Sequence, residues 1–141
     1  WSPVSAVELQ WSYGRARSRI TAHANAGLLG RQVAAVPAYT STVQARWQPS
    51  ERWTLQALWR HVGRSAVDAG NTQWSRAYQV GDVGAQLALP RTAGGMQTQL
   101  SLWVRNVANT RYASSTSLVG GERLVAPGAP RTLMLGLKFA L

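Results

Sequence analysis

The sequence predicts an all-β protein made of antiparallel strands that run up and down in chain order. Apolar and polar residues alternate with a period of two in repeated segments, and turn residues separate those segments. No long stretch repeats apolar residues at the three- and four-residue spacing of an amphipathic helix. The alternation predicts about seven strands, at residues 7–13, 20–26, 39–47, 53–60, 82–89, 100–105 and 133–141.

The last of these strands shows the pattern most clearly. Successive side chains of a strand point to opposite faces. One face therefore carries five large apolar side chains, those of Leu133, Leu135, Leu137, Phe139 and Leu141. The other face includes glycine, lysine and alanine, which is typical of a strand between lipid and a hydrated lumen.

The polar faces of the other strands also favour a transmembrane barrel over a soluble sandwich. They consist of Gln, Thr, Ser, Asn and Gly with a few arginines, namely Arg46, Arg60 and Arg105. A soluble sandwich normally exposes Lys, Glu and Asp on that face. Charged residues make up 14% of the chain, against about 25% in a typical soluble domain.

The predicted connections alternate between short and long, as in outer-membrane barrels with short periplasmic turns and long outer loops. In this arrangement five aromatic residues fall at the short-turn end and form half of a membrane girdle: Trp11, Tyr13, Trp47, Trp53 and Phe139. Tryptophans that fill a soluble β-core are the alternative interpretation. Tyr78 and Val80 are out of register with the fifth strand, which predicts a β-bulge there.

Composition excludes several classes of protein. The net charge is +10 with Lys138 as the only lysine, but the arginines are scattered singly and do not favour nucleic-acid binding. There is no cysteine, so a disulfide or a thiolate metal site is excluded, and no apolar run is long enough for a transmembrane helix. The chain begins at Trp1 without a signal peptide, and we expect it to be a piece of a longer protein.

Catalytic signals are poor. The five acidic residues are far apart along the chain, and neither a nucleophile motif nor a phosphate-binding loop is present. His23 and His61 could meet a metal, but without acidic neighbours a structural role is the better interpretation. We expect no enzyme activity, no metal and no cofactor.

The C-terminal stretch resembles the end of TonB-dependent outer-membrane receptors, which are plugged barrels that take up siderophores, cobalamin and some sugars. The penultimate strand of that family carries an L-x-V-x-N-L-F-D-x-x-Y run, and residues 102–112 here read LWVRNVANTRY, with Asn106, Asn109 and Tyr112 in the matching places. The family's P-G-x-P-R run is matched by Pro127, Gly128, Pro130 and Arg131. Val107, Ala108 and Asn109 depart from the usual Leu-Phe-Asp, and Leu141 stands where a terminal Phe is usual, which affects the assembly signal.

The resemblance implies a large barrel of about 22 strands with a plug domain in its lumen. Residues 1–141 would be the C-terminal part of that one barrel domain, in the outer membrane of a Gram-negative bacterium. The plug and the segment that contacts TonB would lie N-terminal to this sequence. The implied function is TonB-dependent uptake of a ferric siderophore or a similar scarce ligand, with outer-membrane lipid and lipopolysaccharide as surroundings.

Ligand contact is expected on the long loops and the inner wall. The candidates are Arg64, Trp74 and Arg123 in loops, and Arg60 and Arg105 on the wall. Two alternatives stay open: the loop arginines contact lipopolysaccharide phosphates or solvent, and Arg46 and Arg105 pair with carboxylates of the plug. A small porin-like barrel, a soluble β-sandwich binding module and an enzyme with an acid pair also remain as rival classes.

Overall fold

The computed structural model describes residues 6–92 and 94–140. Six long strands form one antiparallel sheet: β1 (Val7–Arg15), β2 (Tyr39–Trp47), β3 (Trp53–Val62), β6 (Tyr78–Ala88), β7 (Gln97–Arg105) and β10 (Thr132–Ala140). Two small hairpins lie in the connections, and they pair β4 (Ser65–Ala66) with β5 (Trp74–Ser75) and β8 (Ala113–Val119) with β9 (Glu122–Pro127). A 3-10 turn spans Ala26–Leu28. Within the described ranges, no helix has the length and apolar character needed to cross a bilayer.

The sheet order is β1-β2-β3-β6-β7-β10, so each long strand pairs with the next one along the chain. β1 and β10 are the two edges. The long strands contain 9 to 11 residues, which is the length that a tilted strand needs to cross a membrane.

The strand register builds one continuous apolar face. A single row across all six strands contains Leu9, Ala45, Ala57, Val83, Val104 and Leu133. Large apolar side chains on this face are open to the surroundings, and Leu135 is 79% exposed. A soluble sandwich would bury this face against a second sheet. The predicted fold, an antiparallel up-and-down segment of a transmembrane barrel, is confirmed.

The opposite face is polar and closely packed in places. Gln99 donates a hydrogen bond from Nε2 to Gln86 Oε1 at 3.1 Å. Trp103 lies across Gly84, where an added Cβ would overlap the indole ring. This polar face is the one that the sequence predicts to line a hydrated lumen.

The predicted strand at residues 20–26 is wrong. Residues 16–38 form one long connection that contains the 3-10 turn and leads from β1 directly to β2. Asn25 Oδ1 accepts the Gly27 N–H at 2.9 Å, and His23 Nδ1 accepts the Asn25 N–H at 3.0 Å. These local hydrogen bonds replace a strand ladder. The long-strand count is six instead of seven, and the connections run long, short, long, short, long.

The predicted bulge at the start of the fifth strand is also wrong. β6 pairs with β3 without a break, from Trp53 opposite Leu87 to Val62 opposite Tyr78. Tyr78 and Val80 lie on the polar face because they pack there: the Tyr78 ring stacks on Tyr112 with centroids 4.4 Å apart, and Val80 is 6% exposed. Trp1, at which the sequence begins, and Leu141, which the sequence places on the apolar face of the last strand, lie outside the described residues.

Candidate ligand-binding site

The three long connections meet at one end of the sheet, because the strands that they join are antiparallel neighbours. These connections are residues 16–38, 63–77 and 106–131. They contain eight arginines and two acids, Asp68 and Glu122, and so carry six of the chain's ten net positive charges. The two short connections, residues 48–52 and 89–96, have a net charge of +1. The long-loop end therefore concentrates positive potential that attracts anionic ligands.

Three of the predicted ligand-contact residues come together at this end. The β4–β5 hairpin sets Arg64 beside Trp74, with the guanidinium carbon 4.7 Å from the centroid of the indole. Arg123, the second residue of β9, donates from Nη2 to the Trp74 carbonyl oxygen at 3.4 Å. Both guanidiniums are exposed and Trp74 is half-buried. The cluster offers two cations and an aromatic surface to one ligand.

The two predicted wall residues lie on the polar face of the sheet, in different strands. Arg60 is in β3, opposite Thr42 and Val80. Arg105, at the end of β7, has its Nε 3.7 Å from Asp82 Oδ2. Asp82 thus gives Arg105 a carboxylate partner within this chain.

Asn106 is the centre of the family motif and is only 3% exposed. Its backbone N–H donates to Asp82 Oδ1 at 2.8 Å. Its side-chain amide donates to the carbonyl oxygens of Thr110 and Ala129, both at 2.9 Å, and Oδ1 accepts the Thr110 N–H at 2.8 Å. The residue has a φ of 49°, a left-handed conformation that Asn tolerates better than most residues. Asn106 therefore ties the end of β7 to the segment that leads into β10.

The other motif residues complete this tie. Asn109 Oδ1 accepts the Arg131 N–H at 3.0 Å. The Gly128 N–H donates to the Tyr112 carbonyl oxygen at 2.8 Å, and a Cβ on Gly128 would overlap the Tyr112 ring. Pro127 ends β9, and Pro130 O accepts the Thr132 hydroxyl at 3.1 Å. These contacts fix the base of the long connection at residues 106–131.

A second tie joins two long connections, and sequence reasoning did not find it. Asn71 Oδ1 accepts the Gln32 N–H at 2.7 Å, and Asn71 Nδ2 donates to the Gln32 carbonyl oxygen at 2.8 Å. The turn that contains Asn71 is closed by Asp68, whose carboxylate accepts the N–H groups of Gln73 and Thr72 at 2.7 and 3.1 Å. These hydrogen bonds, that of Gln73 first, hold the pKa of Asp68 below its ordinary value of 3.8. The Asp-Ala-Gly-Asn-Thr run is the signal that predicts such a turn.

The placement of all five predicted girdle residues at one end is wrong. Trp47 and Trp53 flank the short turn, and Phe139 pairs with Thr98 at the same end. Trp11 and Tyr13 lie toward the opposite end, because β1 leads into the long connection at residues 16–38 and not into a short turn. Their contact with membrane lipid stays a prediction.

At the long-loop end the aromatic rings form a chain across three strands. Trp11 and Tyr13, and then Tyr13 and Tyr39, have ring centroids 6.3 Å apart. His61 is in edge contact with Tyr39 and with Trp59, and the Tyr39 hydroxyl lies 3.1 Å from His61 Nε2. The apolar face therefore has aromatic residues at both ends, an arrangement typical of membrane barrels.

Neither a protein-family model nor a curated protein sequence matches the chain. Among solved structures, it is similar to BauA, the ferric preacinetobactin receptor of Acinetobacter baumannii, with a TM-score of 0.81, 25% sequence identity, and coverage of 96% of this chain and 20% of that one. It is also similar to the siderophore receptor PiuA of the same organism (TM-score 0.77, 17% identity, 98% and 20% coverage). The ferric citrate transporter FecA gives a TM-score of 0.81, 18% identity, and 96% and 21% coverage.

The chain thus spans about a fifth of the length of each of these proteins. All three are described as receptors or transporters. The similarity extends over nearly the whole chain. The fold is that of a segment of a TonB-dependent siderophore receptor barrel, and the resemblance indicated by the motifs is confirmed.

Proposed function

We propose that the chain is the C-terminal part of one barrel domain in a receptor that imports a ferric siderophore or a similar scarce ligand. The receptor resides in the outer membrane of a Gram-negative bacterium. The observation that carries this proposal is the structural similarity to receptors of ferric ligands over 96% or more of the chain. The continuous apolar face on strands of membrane-crossing length supports the location.

In this proposal the segment supplies wall and loops, and bonds are neither made nor broken in it. A plug domain, encoded outside these residues, occupies the lumen beside the polar face and contacts TonB through the N-terminal region. Rearrangement of the plug, driven by TonB, opens the path. On the polar face, Arg46 and Arg60 can pair with carboxylates of the plug. Arg105 is already paired with Asp82.

Arg64, Trp74 and Arg123 are the proposed contacts for the ligand. An anionic ferric complex is drawn to the long-loop end by its net charge of +6. The two guanidiniums then bind its negative groups, and the indole packs against its apolar or aromatic parts. Because the Arg64 guanidinium carbon lies 4.7 Å from the centroid of the Trp74 ring, one ligand can contact the cation and the indole together.

The experiment measures uptake of radiolabelled iron by iron-starved cells that express the intact receptor in a strain without other iron receptors. The probes are ferric citrate, a ferric catecholate and a ferric hydroxamate. Uptake of at least one probe, dependent on the receptor and on TonB, is expected. Receptor-bearing cells that take up none of the three at a rate above cells lacking the receptor would contradict the proposal.

The ligand contacts are tested in the same cells. Arg64→Gln combined with Arg123→Gln should weaken apparent affinity for the transported probe about tenfold, since two exposed charge contacts are lost. Arg76→Gln combined with Arg111→Gln removes the same charge from the long connections outside the cluster. This pair is the matched control and should leave affinity within about twofold. Equal effects of the double variant and the control would exclude the cluster as the ligand contact.

A further inference from the structure

A second basic site lies at the long-loop end, separate from the Arg64–Trp74–Arg123 cluster. A polar cavity of about 350 Å³ is lined by Arg15, Arg17 and Arg19, with Ser18, Gln32 and Asn71 among its other wall residues. The three arginines alternate along the chain as β1 ends and the first long connection begins. The run R-A-R-S-R, with three arginines at alternate positions, is the sequence signal for this site.

The cavity has a fixed wall and unused donors. The paired hydrogen bonds between Asn71 and Gln32, at 2.7 and 2.8 Å, hold the two long connections on either side of it. Within the described ranges, none of the three arginines is within salt-bridge distance of a carboxylate. The Ser18 hydroxyl is buried and has no hydrogen-bond partner there. The site therefore offers three guanidiniums and a hydroxyl to an anion, with no acidic side chain in its lining.

The position of the cavity indicates which anion it binds. Arg15 is on the same face of β1 as Trp11 and Tyr13, two residues beyond Tyr13 and so about 7 Å farther along the strand. Trp and Tyr rings mark the level where hydrocarbon meets the lipid headgroups. Cations just beyond that level lie where the phosphates of the outer leaflet are.

We propose that Arg15, Arg17 and Arg19 bind the phosphate groups of a phosphorylated outer-leaflet lipid. The planar fork of arginine binds phosphate oxygens in pairs, and the Ser18 hydroxyl adds a further donor. This proposal rests on the proposed placement in the outer membrane. It assigns lipid recognition to one cavity and leaves ligand recognition to the Trp74 cluster.

The test uses the intact receptor in neutral detergent at low salt. Equilibrium binding is measured for bisphosphorylated lipid A, for the same lipid A after dephosphorylation, and for inorganic phosphate. The phosphorylated lipid should bind about 100-fold more tightly than the dephosphorylated one. Replacement of all three arginines by glutamine should remove that preference, and Arg17→Gln alone should reduce it about fivefold. The matched control replaces Arg52, Arg91 and Lys138 by glutamine, with the same loss of charge away from the cavity, and should keep the preference.

Three results would overturn the proposal: equal binding of both lipids, loss of the preference in the control variant, or inorganic phosphate that binds as tightly as the phosphorylated lipid. Heat-modifiable migration on a gel verifies that each variant is folded, and the single variant keeps the test valid if the triple one is not. A receptor with the lipid preference but without ferric-ligand uptake would refute the transport proposal alone. Uptake without the preference would refute this one alone.

Discussion

At the scale of single residues, Asn106 should contribute most to local stability among the motif positions. Asn106→Ala leaves the Thr110 N–H and two carbonyl oxygens without partners and puts alanine at a φ of 49°. We expect the free energy of unfolding of the intact receptor to fall by about 2–4 kcal/mol. Urea unfolding in detergent, followed by tryptophan fluorescence, measures this.

Asn25→Ala is the control for Asn106→Ala. It removes an amide of the same size from an exposed turn, where Oδ1 accepts one N–H. It should cost less than about 1 kcal/mol. A loss for Asn106→Ala no larger than for Asn25→Ala would contradict the assignment of Asn106 as the tie between β7 and β10.

The Asp68 turn should depend on pH in a defined direction. The pKa of the folded carboxyl is below the ordinary 3.8, because the Gln73 and Thr72 N–H groups stabilise the carboxylate. The stabilisation is therefore complete above the unfolded pKa and is lost as pH falls from about 3.8 through the folded value. The pKa of Asp68, obtained by following its carboxyl ¹³C shift against pH, should be lower in the folded receptor than in an unstructured peptide with residues 64–77. A folded pKa equal to or above that of the peptide would contradict the hydrogen bonding.

The motif residues also show what a sequence can and cannot supply. The L-x-V-x-N and P-G-x-P-R patterns identify the class, but their spacing does not reveal that Asn106 reaches Ala129. That contact depends on how the β8–β9 hairpin folds back. Val107, in the place of the usual leucine, is 42% exposed, so its smaller side chain loses little packing. Its backbone N–H donates to the Gly81 carbonyl oxygen, a contact that does not depend on the side chain.

At the scale of elements, the two faces of β6 should respond differently to an added methyl group. Gly84→Ala places a Cβ inside the Trp103 ring, whereas the nearest atom to a Cβ at Gly81 is 3.7 Å away. Gly84→Ala should destabilise the receptor by about 1–3 kcal/mol through overpacking. Gly81→Ala is the matched control and should be neutral or slightly stabilising. Urea midpoints measure both, and equal midpoints would contradict the packing of Trp103 over Gly84.

Strand positions were predictable where large apolar residues alternate, as in β2, β3 and β10. Strand positions were not predictable where alanines form the alternating pattern. Residues 20–26 contain one large apolar residue, Ile20, and local hydrogen bonds around Asn25 form there in place of a strand ladder. The two-residue strands β4 and β5 are too short to show a period. Apolar residues at positions 78 and 80 led to the wrong prediction of a bulge. The polar face of β6 is apolar at these positions because the connection at residues 106–131 packs on it through Tyr112.

At the scale of the whole molecule, the sheet has two open edges. Among the described strands, β1 and β10 each pair with one neighbour, and backbone groups of an edge strand that lack a partner are exposed to the surroundings. In lipid such groups are costly. The isolated 141-residue segment should therefore not fold stably in detergent, whereas the intact receptor should. Heat-modifiable migration of the isolated segment on a gel would contradict this.

The central claim is that one face of this sheet contacts lipid and the other a hydrated lumen. Residues 1–141 contain no cysteine, so once any cysteine elsewhere in the intact receptor is replaced, spin labels can be attached at single introduced cysteines along β10 in vesicles. Collision rates with oxygen, which partitions into lipid, and with a water-soluble nickel chelate are then compared. Labels at 133, 135, 137 and 139 should favour oxygen, and those at 134, 136 and 138 should favour the chelate. Equal access of the chelate to both sets of positions would contradict the claim.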